Sequence, residues 1–307
     1  MRTFCPAAIT SLFVSSLLAI GSAQASEPIN ETREIATDGT VEIENVRGSI
    51  RVEASNRADV VITGTLGQGV EGLRISGDSQ HLKIAVEYPD SGGGWFAGWG
   101  GSKAESSDLR IQLPATVSID VSSVSASVEV TGSAGKHSEI DSVSGRVEYT
   151  GSADELEIET VSGDIAVSGS AINASLQSVS GRMDVKAAVT ERLVAESVSG
   201  DVNVGAQRPL QRLQVSTVSG DLQLSAPAAD GARFDIESLS GDVLLQLAPG
   251  TSARVRAETF SGDLSSDVGS VEREEHGPGA HLDTQLLDGD GDIRVESFSG
   301  GIRVRGN

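Results

Sequence analysis

Cysteine is nearly missing from this chain of 307 residues: the single one, Cys5, lies in the first 25. With no second thiol, no intramolecular disulfide and no thiolate metal site can form, so stability has to come from core packing and backbone pairing. Aromatic residues make up only 3 % of the sequence, which leaves a thin core of Val, Leu and Ile. Basic residues number 23 against 44 acidic ones. Such an acid excess argues against binding nucleic acid or anionic lipid.

Long apolar runs are scarce as well. The stretch from Leu12 to Ile20 follows a single early charge, Arg2, and leads to Ala23-Gln24-Ala25. That arrangement has the form of a cleaved secretory leader over residues 1–25, and it falls short of the roughly 20 apolar residues that span a bilayer. Cleavage removes one basic and no acidic residue, leaving 22 basic against 44 acidic residues, a net charge of −22. The expected mature chain starts at Ser26, has no cysteine and no transmembrane segment, and is periplasmic, on the cell surface or secreted.

What the sequence has in abundance is glycine, 36 residues or about 12 % against a usual ~7 %. Much of it sits in one recurring phrase: SVSGRV at 142, TVSGDI at 160, SVSGRM at 178, SVSGDV at 197, TVSGDL at 217 and SLSGDV at 238. Aligned on that glycine, ten copies of a twelve-residue unit start at Val41, Ile119, Ser138, Leu156, Ala174, Leu193, Leu213, Phe234, Val255 and Ile293. The eighth positions from Ala126 to Gly262 are 18 to 21 residues apart. A fixed period near 20 is the mark of a solenoid.

Within a unit, apolar residues alternate at positions 1 and 3 and again at 6, 10 and 12 with opposite parity. This pattern predicts a corner at positions 4 and 5, with position 6 inward and positions 5 and 7 outward. Position 8, nearly always Gly, would face a crowded corner or adopt a dihedral that only glycine takes freely. The resulting fold class is all-β: a single-stack β-solenoid of roughly 20-residue coils. Residues 26–116 hold the first coil and an irregular region, and 117–307 form the regular solenoid, interrupted at 267–292.

The recurring Ser-Val-Ser-Gly-Asp motif, over residues 41–52 and most of 117–307, resembles a bacterial putative-adhesin domain family of unknown function with exported β-helix repeats. The resemblance implies a β-helical envelope protein and carries over no catalytic residue.

Residues 53–116 break the period. LRISGDSQHLKIAVEY reads as a hairpin, and SGGGWFAGWGGS (91–102) holds both tryptophans. Trp95, Phe96 and Trp99 either fold back over the coils or form an aromatic contact for glycan or lipid. In the second break, His276 and His281 near Glu272, Glu274 and Glu275 match no metal-ligand spacing. Asp288, Asp290 and Asp292 open like a calcium loop, but Ile293 stands where Gly is needed and Ser299 where Glu is needed. No metal or cofactor is expected.

Two surface arrays remain. Position 9 runs Arg146, Asp164, Arg182, Asp201, Asp221, Asp242, Asp263. Its last four members form an acidic column that could support glycosidase chemistry, or each could cap its own turn. No His, Lys or Tyr recurs beside it, so no catalysis is expected; a polysaccharide-active enzyme is the alternative. Positions 5 and 7 supply hydroxyls, among them Ser178, Ser180, Ser197, Ser199, Thr217 and Ser219. If outward, they make a strip that is structural, contacts an envelope glycan or envelope protein, or resembles an ice-binding face.

Overall fold

A computed structural model describes residues 27–89, 104–274 and 277–306. The described residues are all-β, with no helix and one sheet of 21 strands. Two parallel ladders run through it. In the first, position 1 of each unit pairs with position 1 of the next: Leu156 with Ala174, Ala174 with Leu193, Leu193 with Leu213, Leu213 with Phe234. In the second, position 10 does the same, from Val147 through Ile165, Met183, Val202 and Leu222 to Val243. Equivalent positions of successive units therefore stack at the rung spacing of ~4.8 Å.

Burial shows where the chain turns. In the unit from Leu156, positions 1, 3, 5, 8, 10 and 12 (Leu156, Ile158, Thr160, Gly163, Ile165, Val167) are buried, whereas Val161 and Ser162 are exposed. The corner thus lies at positions 6 and 7, not at 4 and 5, and position 6 points outward. Position 6 is apolar, yet apolarity alone does not carry it into the interior: Val161 is exposed. Parity is kept from 1 through 5 and resumes from 8, so the two residues between are the ones turned out.

Position 8 faces inward as expected, and the reason is space rather than dihedral angle. A Cβ on Gly163, Gly181, Gly200 or Gly220 would lie 1.9 to 2.0 Å from the carbonyl oxygen of the glycine one rung below. None of these glycines has a positive φ.

Spatial order departs from chain order at the C-terminal end. Gly291–Ser297 lies between Ala228–Ser238 and Ala253–Thr259, parallel to both. Ile302–Gly306 likewise fills the gap between Val243–Leu247 and Leu264–Ser266. The last unit in sequence is therefore the next-to-last rung in space. The interruption before it supplies Ala280–Leu286, which runs antiparallel along the outer edge of Ala253–Thr259. This strand covers ladder groups that would otherwise be unpaired at the edge.

The other end is closed in the same manner. Thr40–Ser55 pairs in parallel with Ser118–Ser142 above it, and with His81–Glu87 and Ser107–Pro114 below. The hairpin expected within 53–116 is present as Gly72–Gly77 against His81–Glu87. Asp78 Oδ1 accepts the N–H groups of Gln80 and His81 at its turn, at 2.8 and 3.0 Å. Asp59–Leu66 and Glu27–Glu34 add further antiparallel strands outside Ser107–Pro114.

Candidate binding groove

The turn at positions 6 and 7 is built by the hydroxyl before it. Ser178, Ser197 and Thr217 are buried, contrary to their expected outward orientation. Each side-chain oxygen accepts the N–H of the glycine three residues on: Gly181 at 2.9 Å, Gly200 at 2.8 Å and Gly220 at 3.0 Å. Small hydroxylated residues favour such local bonds to the backbone, and a buried N–H left without an acceptor is costly. Position 5 is therefore a turn lock that satisfies an interior amide.

Ser180, Ser199 and Ser219 at position 7 are exposed as expected. Their hydroxyls donate to the carbonyl oxygens of Val161, Val179 and Val198 one rung below, at 3.2 to 3.4 Å. Position 7 thus ties rungs together. Trp95, Phe96 and Trp99 lie outside the described residues, as do residues 1–25 and His276.

The position-9 aspartates act across rungs, not within their own turns. Asp164 Oδ1 accepts the N–H of Arg182, Asp201 Oδ1 that of Asp221, Asp221 Oδ1 that of Asp242, and Asp242 Oδ1 that of Gly301, at 2.8 to 3.2 Å. Arg146 lies 3.9 Å from Asp164, and Arg182 lies 3.3 Å from Asp201. The four-member acidic column is interrupted, because Gly301 occupies the rung between Asp242 and Asp263.

The surface that sequence reasoning missed is position 6. Val161, Val179, Val198, Val218, Leu239, Phe298 and Phe260 follow one another along the corner and are 44 to 58 % exposed. They are seven of the nine exposed large apolar side chains among the described residues. At the far end the Phe260 and Phe298 rings stack with centroids 5.1 Å apart. A regular polar-rimmed apolar line of this kind is unlike the scattered apolar residues of an ordinary surface.

This column forms one wall of a long groove. Position 5 makes its floor, and position 4 the opposite wall with Glu44, Asp141, Glu159, Glu196, Glu237, Glu258 and Glu296. One stretch encloses about 860 Å³ and the next about 510 Å³, and they meet at Ser197 and Ser216. Among the described residues, no Lys, Arg or His lines either stretch. Burial and crowding of like charge act together at Asp141. Desolvation, reinforced by Glu139, Glu159, Asp120 and Glu157, pushes its carboxyl up to about 6. Neighbouring Asp120 is also raised, by desolvation first and then by Glu139, Glu42 and Glu44.

Among the described residues, no group of three His, Cys, Asp or Glu is placed to hold a metal ion. No helix there is long and apolar enough to cross a membrane.

Fold and groove together define an all-β repeat protein with an extended side surface. The chain belongs to the Toastrack DUF4097 family, whose profile matches residues 39–249 and again 213–305. Curated proteins contain no match to it. Among solved structures it is similar to a "putative lipid binding protein" from Parabacteroides distasonis, with 15 % identity, a TM-score of 0.50, and 91 % of this chain and 96 % of that one covered. It is also similar to a "putative adhesin" from Parabacteroides merdae, at 10 % identity and a TM-score of 0.44, over 92 % of this chain and 96 % of that one. At these identities the first likeness concerns the fold alone.

Proposed function

We propose that this protein is an exported, non-catalytic single-stack β-solenoid of the bacterial envelope that binds or scaffolds a partner along its position-6 corner. The observation that carries this reading is the concentration of exposed large apolar side chains in one column, seven of nine among the described residues, beside a continuous groove. Export is supported by the leader-like residues 1–25. Against the alternative of a polysaccharide-cleaving enzyme stands the engagement of the position-9 aspartates with backbone amides. A glycan held by an outward hydroxyl array loses its basis, since position 5 is buried and position 7 is bonded along the stack.

The test uses the mature chain, Ser26 onward, retained on an envelope fraction. V179D/V198D places charges on two exposed corner residues and should abolish retention while the circular-dichroism spectrum is unchanged. Retention that survives in this variant refutes the corner as the contact surface. Release of new reducing ends from envelope polysaccharide, lost in Asp221→Asn, refutes the non-catalytic assignment.

A further inference from the structure

Two properties of the groove restrict what can occupy it. One wall is apolar throughout, from Val124 to the Phe298–Phe260 pair. The other carries carboxylates, and Asp141, Glu159, Glu196, Glu237 and Glu258 make no ion pair or side-chain hydrogen bond with any described residue. Elsewhere the surface pairs its carboxylates readily, as with Arg146 and Glu148 at 2.7 Å or Arg256 and Asp292 at 2.6 Å. Along the groove these five carboxylates stay unpaired, whereas Glu44 and Glu296 on the same wall pair with Lys83 and Arg294; at Asp141 burial, with neighbouring carboxylates adding to it, raises the carboxyl. A cationic occupant relieves that repulsion, whereas an anionic lipid surface or a second copy of this acidic chain, net charge −21, adds to it.

Backbone geometry narrows the choice further. The amides at the corner are already bonded between rungs: Ser162 N–H to Val143 O at 2.8 Å, Ser180 N–H to Val161 O at 3.0 Å and Ser199 N–H to Val179 O at 2.9 Å. The groove therefore offers no free sheet edge for strand addition. An extended peptide also sends alternate side chains to opposite faces, so it cannot lay apolar and basic residues on two adjoining walls at once. An amphipathic helix can, because its apolar stripe and basic flank are neighbours around one cylinder. Its ~5.4 Å turn is close to the ~4.8 Å rung. The nine corner residues from Val124 to Phe260 span about 38 Å at that rung spacing, the length of a helix of about 25 residues.

We propose that the groove takes a basic amphipathic helix of a partner protein, its apolar stripe against the Val-Leu-Phe column and its Lys or Arg side chains against the position-4 carboxylates. This rests on the corner being the contact surface, and the experiment separates the two claims. The probes are three fluorescein-labelled 20-residue helical peptides with the same Leu stripe and Lys, Gln or Glu on the flank, titrated against the mature chain by anisotropy. The Lys peptide should bind, at least tenfold tighter than the Gln peptide, and weaken as salt rises; the Glu peptide should not bind. E159Q/E196Q/E237Q should reduce Lys-peptide affinity about tenfold, and V179D/V198D should reduce binding of the Gln peptide. D154N/E191Q/D230N removes equal charge from exposed sites outside the groove and should change nothing.

Equal loss in both triple variants means general attraction to an acidic protein and overturns the proposal. Binding of Lys and Gln peptides with the same affinity, or of phosphatidylglycerol vesicles through the same corner residues, overturns the basic helix while leaving the corner as a contact surface. Lys-peptide binding untouched by both groove variants overturns the helix proposal through its site.

Discussion

Gly220→Ala adds one methyl group to the glycine column, and its consequence can be worked from the structure. The new Cβ would sit 2.0 Å from Gly200 O and 2.5 Å from Gly200 C. Both are backbone atoms, so no side chain can move aside, and relief requires the rungs to separate by more than an ångström. That displacement strains the bonds around the turn: Gly220 N–H to Thr217 Oγ1 at 3.0 Å, Ser219 N–H to Val198 O at 3.0 Å and Leu222 N–H to Asp242 O at 2.8 Å. Overpacking at about 1–3 kcal/mol, together with about 1 kcal/mol for each of two or three weakened bonds, gives a destabilisation of roughly 3–6 kcal/mol. For a domain of this size about 2–4 °C is lost per kcal/mol, so the Tm should fall by roughly 6–24 °C. Because stacked repeats interact mainly with their neighbours, hydrogen exchange should quicken most around residues 198–222. Gly205→Ala is the control, since the nearest atom to its Cβ is Val185 O at 3.8 Å. Differential scanning calorimetry of both variants decides the matter: Tm values within 2 °C of each other would refute steric exclusion as the reason for the column.

Ser197→Ala removes the acceptor of the buried Gly200 N–H and should cost about 1–2 kcal/mol in chemical denaturation, whereas Ser199→Ala at the exposed position 7 should cost less than about 0.5 kcal/mol; equal effects contradict the turn-lock role. Asp141 titrates near 6 when folded, above its ordinary 3.8, so its charge opposes folding increasingly as pH rises from about 4 to 6 and fully above that. Asp141→Asn should therefore raise Tm at pH 7.5 and have little effect at pH 3.5, and an increment independent of pH is the refuting result. Deleting residues 288–307 takes away an interior rung from between Ala228–Ser238 and Ala253–Thr259. The truncated chain should lose the order of residues 253–286 by hydrogen exchange, and retained protection there contradicts the intercalated order.

The repeat, its period and the all-β class were legible in the sequence because they depend on local rules: alternation of apolar residues, a fixed recurrence, and a glycine that tolerates no neighbour. The hairpin at 72–87 was legible for the same reason, two short alternating runs around Gly77-Asp78. Which side of the corner is wet was decided by tertiary structure. Val161 and Ile158 are both β-branched and apolar, yet one is exposed and the other fully buried, and only the three-residue bond between hydroxyl and glycine turns position 6 outward. The companion pattern, a hydroxyl three residues before each glycine, was present in every SVSGD copy and is the signal that could have located the turn. Rung order was likewise beyond local rules. The unit at Ile293 carries the same pattern as its predecessors, and nothing in its residues distinguishes stacking last from insertion between Phe234 and Val255. That choice depends on the path of 267–292, whose strand Ala280–Leu286 occupies the outer edge. Side-chain periodicity determines that strands pair in register; the global connection of the chain determines which strand each one meets.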